Sequence, residues 1–168
     1  GDRLRQEGYQ AARTDLGDDP FPPCQRPPLS KQYLSRGLPL EEVYIRAEKF
    51  YTDKNIALRT NTRVASIDPA AHSVTTDAGD TISYDKLMIA TGSRPRILNI
   101  EGSDLAGIHY LRTIADVDKI RESMSGVSNI VIVGGGYIGL DVASVAVTAE
   151  KTVSVLEIED RILQLVTT

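Results

Sequence analysis

The segment from residue 129 to residue 158 constrains the fold of this chain more than any other. A short apolar run rich in β-branched residues, 129–133, is followed at once by the glycine-rich sequence Gly134 to Gly139, which has the pattern G-x-G-x-x-G. An apolar helical pattern and a second β-branched run, 152–156, come next. Strand, glycine turn, helix and strand within about 30 residues make up one βαβ crossover. The segment therefore predicts an α/β, Rossmann-like fold with parallel strands.

The glycines of this pattern have separate physical tasks. Gly134 permits the tight turn out of the strand, Gly136 lets the backbone approach a pyrophosphate, and Gly139 allows the helix to pack closely on the strand. The first N–H groups of the helix, near Tyr137 and Ile138, have no partner within the helix, and they lie at the positive end of its dipole. Such a helix start binds phosphates, so the segment predicts a dinucleotide site.

Glu157 follows the second predicted strand directly. A carboxylate at this position can accept hydrogen bonds from both hydroxyls of the adenosine ribose. Its charge would repel a 2′-phosphate, so we predict NAD rather than NADP. The same residues also fit a second interpretation, in which a generic βαβ unit has a glycine turn and Glu157 is a solvated acid.

Composition limits the class of protein. The chain has 168 residues, 41% of them apolar, which is enough for one compact domain or for one domain and part of another. The net charge of −4 argues against a nucleic-acid partner, and no run approaches the ~20 apolar residues of a membrane span. Cys24 is the single cysteine, which excludes an internal disulfide. We therefore expect a soluble, cytoplasmic protein.

Weaker patterns predict the other elements. Residues 2–8 indicate the end of a helix, 12–16 a strand weakened by Arg13 and Asp15, and 17–28 a proline-rich loop. Helical patterns predict helices at 29–36, 41–54 and 114–124. Short alternating runs predict four strands, at 56–59, 63–67, 72–76 and 81–84. The continuous apolar run at 86–90 is typical of a strand in a buried parallel sheet.

Three segments together resemble one family. They are QRPPLSK at 25–31, YDKLMIATGSRPR at 84–96 and IVGGGYIGLDVA at 132–143. In this order they resemble the FAD-dependent pyridine nucleotide-disulfide reductase superfamily, and QRPPLSK is typical of its ferredoxin reductase branch. The resemblance implies that residues 1–108 are part of an FAD-binding domain with a small antiparallel β-meander, and that 109–168 begin an inserted NAD-binding domain. Both ends look cut, so we expect an internal piece of a longer protein.

The resemblance also implies an activity and a set of site residues. Electrons would flow from NADH to FAD and on to a ferredoxin-like iron–sulfur protein, in an enzyme that is a monomer or a homodimer. Lys31 would stand beside the flavin and stabilise its anionic reduced form, paired with the acid at position 141. The residues expected to contact FAD are Asp18, Lys31, Val64, Thr91, Gly92 and Arg112.

The chain also departs from the family pattern. Asp141 stands where glutamate is usual, so we expect its pairing with Lys31 to be stretched or bridged by water. Cys24 replaces an aromatic residue or histidine, and we interpret it as a passive loop residue. Three alternatives stay open: an NADH oxidoreductase of the nitrite-reductase or apoptosis-inducing-factor type, a dinucleotide-binding module without turnover, and an inactive fragment.

Overall fold

The computed structural model describes residues 6–8 and 11–164. These residues form two compact units. The first is Tyr44–Gly92 with the described part of Gly1–Cys24, and the second is Gln25–Val43 with the described part of Ser93–Thr168. The predicted helix end at 2–8 lies largely outside the described residues, and the predicted division into cofactor domains at residue 108 stays a prediction.

The first unit begins with two parallel strands. Strand β1, Arg13–Leu16, pairs in register with β2, Ile56–Arg59. The strand predicted to be weak does form. Arg13 and Asp15 lie two residues apart, on the same face of β1, and their side chains make a bidentate ion pair that is partly buried. Each charge is therefore neutralised locally, and the strand tolerates them.

The same unit contains a three-stranded antiparallel meander, which confirms the predicted one. Strand β3, Val64–Asp68, pairs with β4, Ser73–Thr76, which in turn pairs with β5, Thr81–Ser83. A register shift lies between Val64 and Ser66. Asp68 accepts hydrogen bonds from the N–H groups of the next turn, as expected of a turn aspartate.

Two predicted helices are broken or irregular. The prediction of one helix over 41–54 is wrong: α1 is Leu40–Val43 and α2 is Glu48–Asp53. The helix stops because the next backbone groups bind elsewhere. Tyr44 forms an antiparallel bridge with Cys24, and the N–H of Ile45 donates to the carbonyl of Pro23 at 2.8 Å.

The prediction of a regular helix over 29–36 is also wrong, because only a short helix forms and it lies earlier in the chain. A 3-10 helix spans Pro27–Ser30 and ends at Lys31, whose φ of −120° and ψ of −112° lie outside the helical region. Irregular turns follow to residue 36. Leu29 and Leu34 are nevertheless almost completely buried, so the segment belongs to the core of the second unit.

The predicted strand at 86–90 is absent from the described residues. Met88 and Ile89 are 76% and 67% exposed, and no strand pairs with this segment in the part of the chain that the structure describes. An apolar run forms a strand only where a neighbouring strand satisfies its backbone groups. The sequence predicts the apolar character correctly, but it does not reveal whether such a neighbour is present.

The second unit has the predicted βαβ crossover. Helix α3, Ile114–Ser125, precedes strand β6, Asn129–Val133, helix α4, Tyr137–Thr148, and strand β7, Thr152–Leu156. Strands β6 and β7 are parallel and in register from Asn129↔Thr152 to Val133↔Leu156. Their carboxyl ends therefore lie side by side, and they place the glycine turn next to Glu157. This confirms the α/β, Rossmann-like prediction.

Candidate functional site: a glycine turn at the end of two parallel strands

The turn from β6 into α4 has the conformation that the first glycine was predicted to allow. Gly134 has a φ of +107°, in the region that favours glycine. Its N–H donates to the carbonyl of Leu156 at 2.8 Å, so the turn starts as a continuation of the parallel pairing. The chain can reverse into the helix here because this residue has no side chain.

Gly139 brings the helix against the turn. A Cβ atom at this position would lie 2.1 Å from the carbonyl oxygen of Gly134 and 3.3 Å from Cγ2 of Ile132. Both obstacles belong to the strand and its exit, and the nearer one is backbone. The close approach of helix and strand therefore requires glycine at this point.

Gly136 lies in open space. A Cβ atom here would have no atom within 4 Å, and the φ of −79° is accessible to any residue. Gly136 is the N-cap of α4, and no side chain caps the helix start. Tyr137 and Ile138, the first residues of α4, are 60% and 52% exposed. Nothing within the fold requires glycine here, whereas a pyrophosphate seated on the helix start would need this space. The turn therefore fits a dinucleotide.

Glu157 is bound to the glycine turn, a contact that the sequence analysis did not predict. Its Oε2 accepts from the N–H of Gly135 at 2.6 Å, and its Oε1 accepts from the N–H groups of Ile158 and Glu159 at 2.8 and 3.1 Å. A carboxylate offers about four acceptor positions, and these three donors leave about one for a ribose hydroxyl. Glu157 thus joins the end of β7 to the turn after β6.

Gly135 is a further constrained residue that the fingerprint does not single out. It is buried, and a Cβ atom there would lie 2.8 Å from Cγ2 of Ile162 and 3.0 Å from Oε2 of Glu157. The sequence signal was the middle glycine of Gly134-Gly135-Gly136, which stands where the pattern accepts any residue. The approach of Ile162 and Glu157 to the turn favours glycine at this position.

The backbone donors keep Glu157 ionised. The N–H groups of Glu159 and Gly135, and to a lesser extent that of Ile158, lower the pKa of the Glu157 carboxyl below its ordinary value of 4.5, against a smaller opposing effect of desolvation. The negative charge predicted to exclude a 2′-phosphate is therefore present throughout the neutral pH range.

We expect the Glu157→Gln variant to be less stable than the wild type at pH 7 and the difference to disappear on acidification. Because the folded-state pKa is lowered, the stabilisation is complete above the unfolded-state pKa and is lost as pH falls through the folded-state pKa. The measurement is the difference in Tm between the two proteins from pH 7 to about pH 3. Glu101→Gln, at an exposed turn position of the same unit, is the control. A difference that stays constant over this range would contradict the interpretation.

Lys31 and Asp141 form the predicted pair within the second unit. The Nζ of Lys31 lies 3.3 Å from Oδ1 of Asp141, with side-chain exposures of 51% and 24%. The contact is direct but stretched, as expected, because 3.3 Å is longer than the roughly 2.7–2.9 Å of a close charge-assisted hydrogen bond. The hydroxyl of Ser30 donates to the other carboxylate oxygen, Oδ2, at 2.9 Å.

The residues expected to contact FAD are divided between the two units. Asp18 is exposed in the loop after β1. Two hydrogen bonds link this loop to the loop after β2: from the N–H of Asn61 to the carbonyl of Asp19 at 3.0 Å, and from the N–H of Thr62 to the carbonyl of Gly17 at 2.8 Å. Asp18 therefore lies at the carboxyl end of a parallel strand pair, the edge at which α/β sheets bind ligands.

The other candidate positions are described unit by unit. In the first unit, Val64 begins β3, and Thr91 and Gly92 are exposed residues outside any strand, with a φ of +69° at Gly92. In the second unit, Arg112 precedes α3. Its N–H donates to Asp116, and its carbonyl accepts from Arg26 Nη1 at 3.0 Å. Contact of these residues with FAD stays a prediction.

Neither a metal-ligand cluster nor a membrane-spanning helix is present among the described residues. Over 6–8 and 11–164, no group of three or more His, Cys, Asp or Glu side chains is placed to hold a metal ion. In the same residues, no helix is long and apolar enough to cross a membrane.

The fold and the glycine turn together define a dinucleotide-binding protein of the Rossmann-like class. Residues 2–168 match the model of one family, the pyridine nucleotide-disulphide oxidoreductases. The chain therefore belongs to this family. Family membership implies FAD and a nicotinamide dinucleotide as cofactors, in agreement with the cofactors expected from the sequence.

Three similar proteins are reductases. A ferredoxin–NAD(P)(+) reductase from a Sphingomonas species is 39% identical over 160 residues, covering 95% of this chain and 39% of that protein. A rubredoxin–NAD(+) reductase from Pseudomonas putida is 39% identical over 165 residues, covering 98% of this chain and 43% of that protein. The reductase in a covalent putidaredoxin reductase–putidaredoxin complex is 35% identical with a TM-score of 0.90, covering 98% of this chain and 40% of that one. The chain thus spans less than half of each relative.

Proposed function

We propose that this protein is an FAD-dependent NADH oxidoreductase that passes electrons from NADH through FAD to a ferredoxin-like iron–sulfur protein. The observation that carries the proposal is the turn at 134–139, with open space at Gly136 and a carboxylate fixed beside it at Glu157. The names of the relatives, which include ferredoxin and rubredoxin reductases, favour a small iron protein as acceptor.

The residues of this chain have distinct roles in the proposal. The N–H groups at the start of α4, at Tyr137 and Ile138, hold the pyrophosphate of NADH over Gly136. Glu157 accepts a ribose hydroxyl and repels a 2′-phosphate, and so favours NADH over NADPH. Asp141 orients Lys31, whose ammonium group supplies positive charge next to the flavin.

The cofactors supply the redox chemistry, which is hydride transfer from NADH to FAD followed by one-electron transfer to the acceptor. The protein positions the two cofactors and needs no proton-shuttling pair of side chains. The residues proposed to hold FAD are Asp18, Lys31, Val64, Thr91, Gly92 and Arg112. We further propose a cytoplasmic location, since a chain with one cysteine suits a reducing compartment.

The test is NADH-dependent reduction of an iron protein. The purified flavoprotein is mixed anaerobically with NADH and with either a [2Fe–2S] ferredoxin or a rubredoxin, and the absorbance of the acceptor is followed. We expect the acceptor to be reduced, and NADPH to be the poorer donor. A flavin that NADH bleaches without reducing either acceptor would indicate a different electron acceptor. Bound flavin that is not bleached would indicate a binding module without turnover, and protein that holds no flavin would refute the proposal.

A further inference from the structure

Ser30 is a buried polar residue in direct contact with the Lys31–Asp141 pair. It is 3% exposed, and its hydroxyl donates to Oδ2 of Asp141 at 2.9 Å. Lys31 occupies the other oxygen, Oδ1, at 3.3 Å. A buried hydroxyl is normally hydrogen-bonded, and here the acceptor is a charged group, which makes the bond stronger than one between neutral partners.

The serine is held more firmly than the lysine. Ser30 is the last residue of the 3-10 helix, directly after Leu29, which is 0% exposed. The N–H of Lys31 donates to the carbonyl of Pro28 at 3.0 Å, which fixes the backbone at this point. The Lys31 side chain is half exposed, and an exposed ion pair alone holds two side chains in place only weakly.

The side-chain network around the serine fixes the segment to α3. The hydroxyl of Tyr33 donates to Asp118 at 3.2 Å, and the guanidinium of Arg121 lies 4.0 Å from the centre of the Tyr33 ring. Nε of Arg121 also donates to the carbonyl of Leu34 at 3.2 Å. The segment that carries Ser30 is therefore anchored independently of Asp141, and Ser30 can act as a fixed point for the carboxylate.

We propose that Ser30 is a positioning residue: it fixes the carboxylate of Asp141 by one oxygen so that the other oxygen holds the ammonium group of Lys31. Without the serine, the carboxylate is free to rotate about its side-chain bonds, and a single ion pair remains to direct Lys31. The inference deepens the proposed function, on which it rests for the role of Lys31 at the flavin. The two contacts that link Ser30 to Asp141 and Asp141 to Lys31 do not depend on that role.

A measurement without turnover tests the positioning directly. The purified flavoprotein is treated with limiting acetic anhydride, and the acetylation rate of Lys31 is followed by peptide mass spectrometry. We expect Ser30→Ala to raise this rate about three- to tenfold, which corresponds to the net contribution of about one ordinary hydrogen bond. Asp141→Asn should raise it at least as much, and adding Ser30→Ala to Asp141→Asn should have no further effect.

The matched control for this experiment is Ser35→Ala. Ser35 lies in the same segment, is exposed, and donates to the carbonyl of Gln32 at 3.1 Å. Its replacement should leave the acetylation of Lys31 unchanged. A wild-type rate in Ser30→Ala together with a raised rate in Asp141→Asn would overturn the proposal, because the carboxylate would then hold Lys31 unaided.

A second experiment links the positioning to the flavin. The rate constant for flavin reduction at saturating NADH is measured by stopped flow and expressed per bound flavin. We expect Ser30→Ala to lower it about tenfold with little change in the KM for NADH. Lys31→Met should lower it further, and the double variant should equal Lys31→Met. Effects that multiply in the double variant would overturn the proposal. A wild-type flavin that NADH does not reduce would refute the proposed function, while the acetylation experiment would still decide the role of Ser30.

Discussion

The Gly139→Ala variant is expected to lose about 3 kcal/mol of folding stability together with its affinity for NADH. The added methyl group would lie 2.1 Å from the carbonyl oxygen of Gly134, so helix α4 must move away from the end of β6. Alanine in place of glycine inside a helix is worth about 1 kcal/mol in helix propensity, which is too little to offset a clash with backbone. The measurement is urea unfolding of the wild type and the variant, with calorimetric titration of NADH.

The matched control for this variant is Gly126→Ala. Gly126 is the C-cap of α3 with a φ of −98°, and a Cβ atom there would meet its nearest atom, the carbonyl oxygen of Ser123, at 4.0 Å. We expect this substitution to leave stability nearly unchanged. A Gly139→Ala protein as stable as the wild type would show that helix and strand do not approach as closely as described.

The Gly136→Ala variant is expected to keep its stability and lose about ten- to a hundredfold in affinity for NADH. A Cβ atom at this position meets nothing in the protein, and the backbone conformation suits alanine. It would instead occupy the space into which a pyrophosphate must approach, at the cost of about one hydrogen bond to a charged group. The measurement is calorimetric titration of NADH together with the Tm of the variant.

The two glycine variants separate structure from binding. Gly139→Ala should impair both stability and binding, whereas Gly136→Ala should impair binding alone. Unchanged NADH affinity in Gly136→Ala would mean that the open space at the helix start is not used by the nucleotide. An equal loss of stability in both variants would mean that Gly136 has a structural role that the fold does not reveal.

Local patterns in the sequence predicted the parts of the fold that depend on nearby residues. The spacing of Gly134, Gly136 and Gly139 and the apolar runs on either side were sufficient to predict the βαβ crossover. Each of these features depends on residues within one segment. A glycine allows the positive φ of the turn, the spacing of apolar residues favours the helix, and β-branched residues favour the strands. The position of Glu157 at the end of β7 followed from the length of that strand.

Contacts between distant segments could not be predicted in the same way. Helix 41–54 is interrupted because Tyr44 and Ile45 bind the backbone of the proline-rich loop, some twenty residues earlier. The run at 86–90 has the composition of a strand, yet it finds no partner among the described residues. Whether such a run pairs as a strand depends on a partner segment that is distant in the sequence, and no local pattern predicts that partner.

The candidate site likewise combines features that the sequence predicted with contacts between distant segments that it did not. The pairing of Lys31 with Asp141 was expected from a resemblance between whole motifs, and the structure brings the two side chains together. The hydrogen bond from Ser30 to Asp141 joins residues on two separate segments, and a serine within a predicted short helix gives no sign of it. The hydrogen bond from the N–H of Gly135 to Glu157 was likewise unexpected, although the additional glycine at position 135 was a sign in the sequence that the turn is crowded there.

The most direct test of the central claim is the rate at which the flavin absorbance is bleached anaerobically as the concentration of reduced nucleotide is varied. If the turn at 134–139 receives NADH and delivers its electrons to FAD, NADH should bleach the wild-type flavin, and NADPH should need a much higher concentration to reach the same rate. The Gly136→Ala protein, with the same flavin content, should need more NADH than the wild type to reach half of its maximal rate. A wild-type flavin left oxidised by excess NADH, or the same concentration dependence for wild type and Gly136→Ala, would contradict the claim.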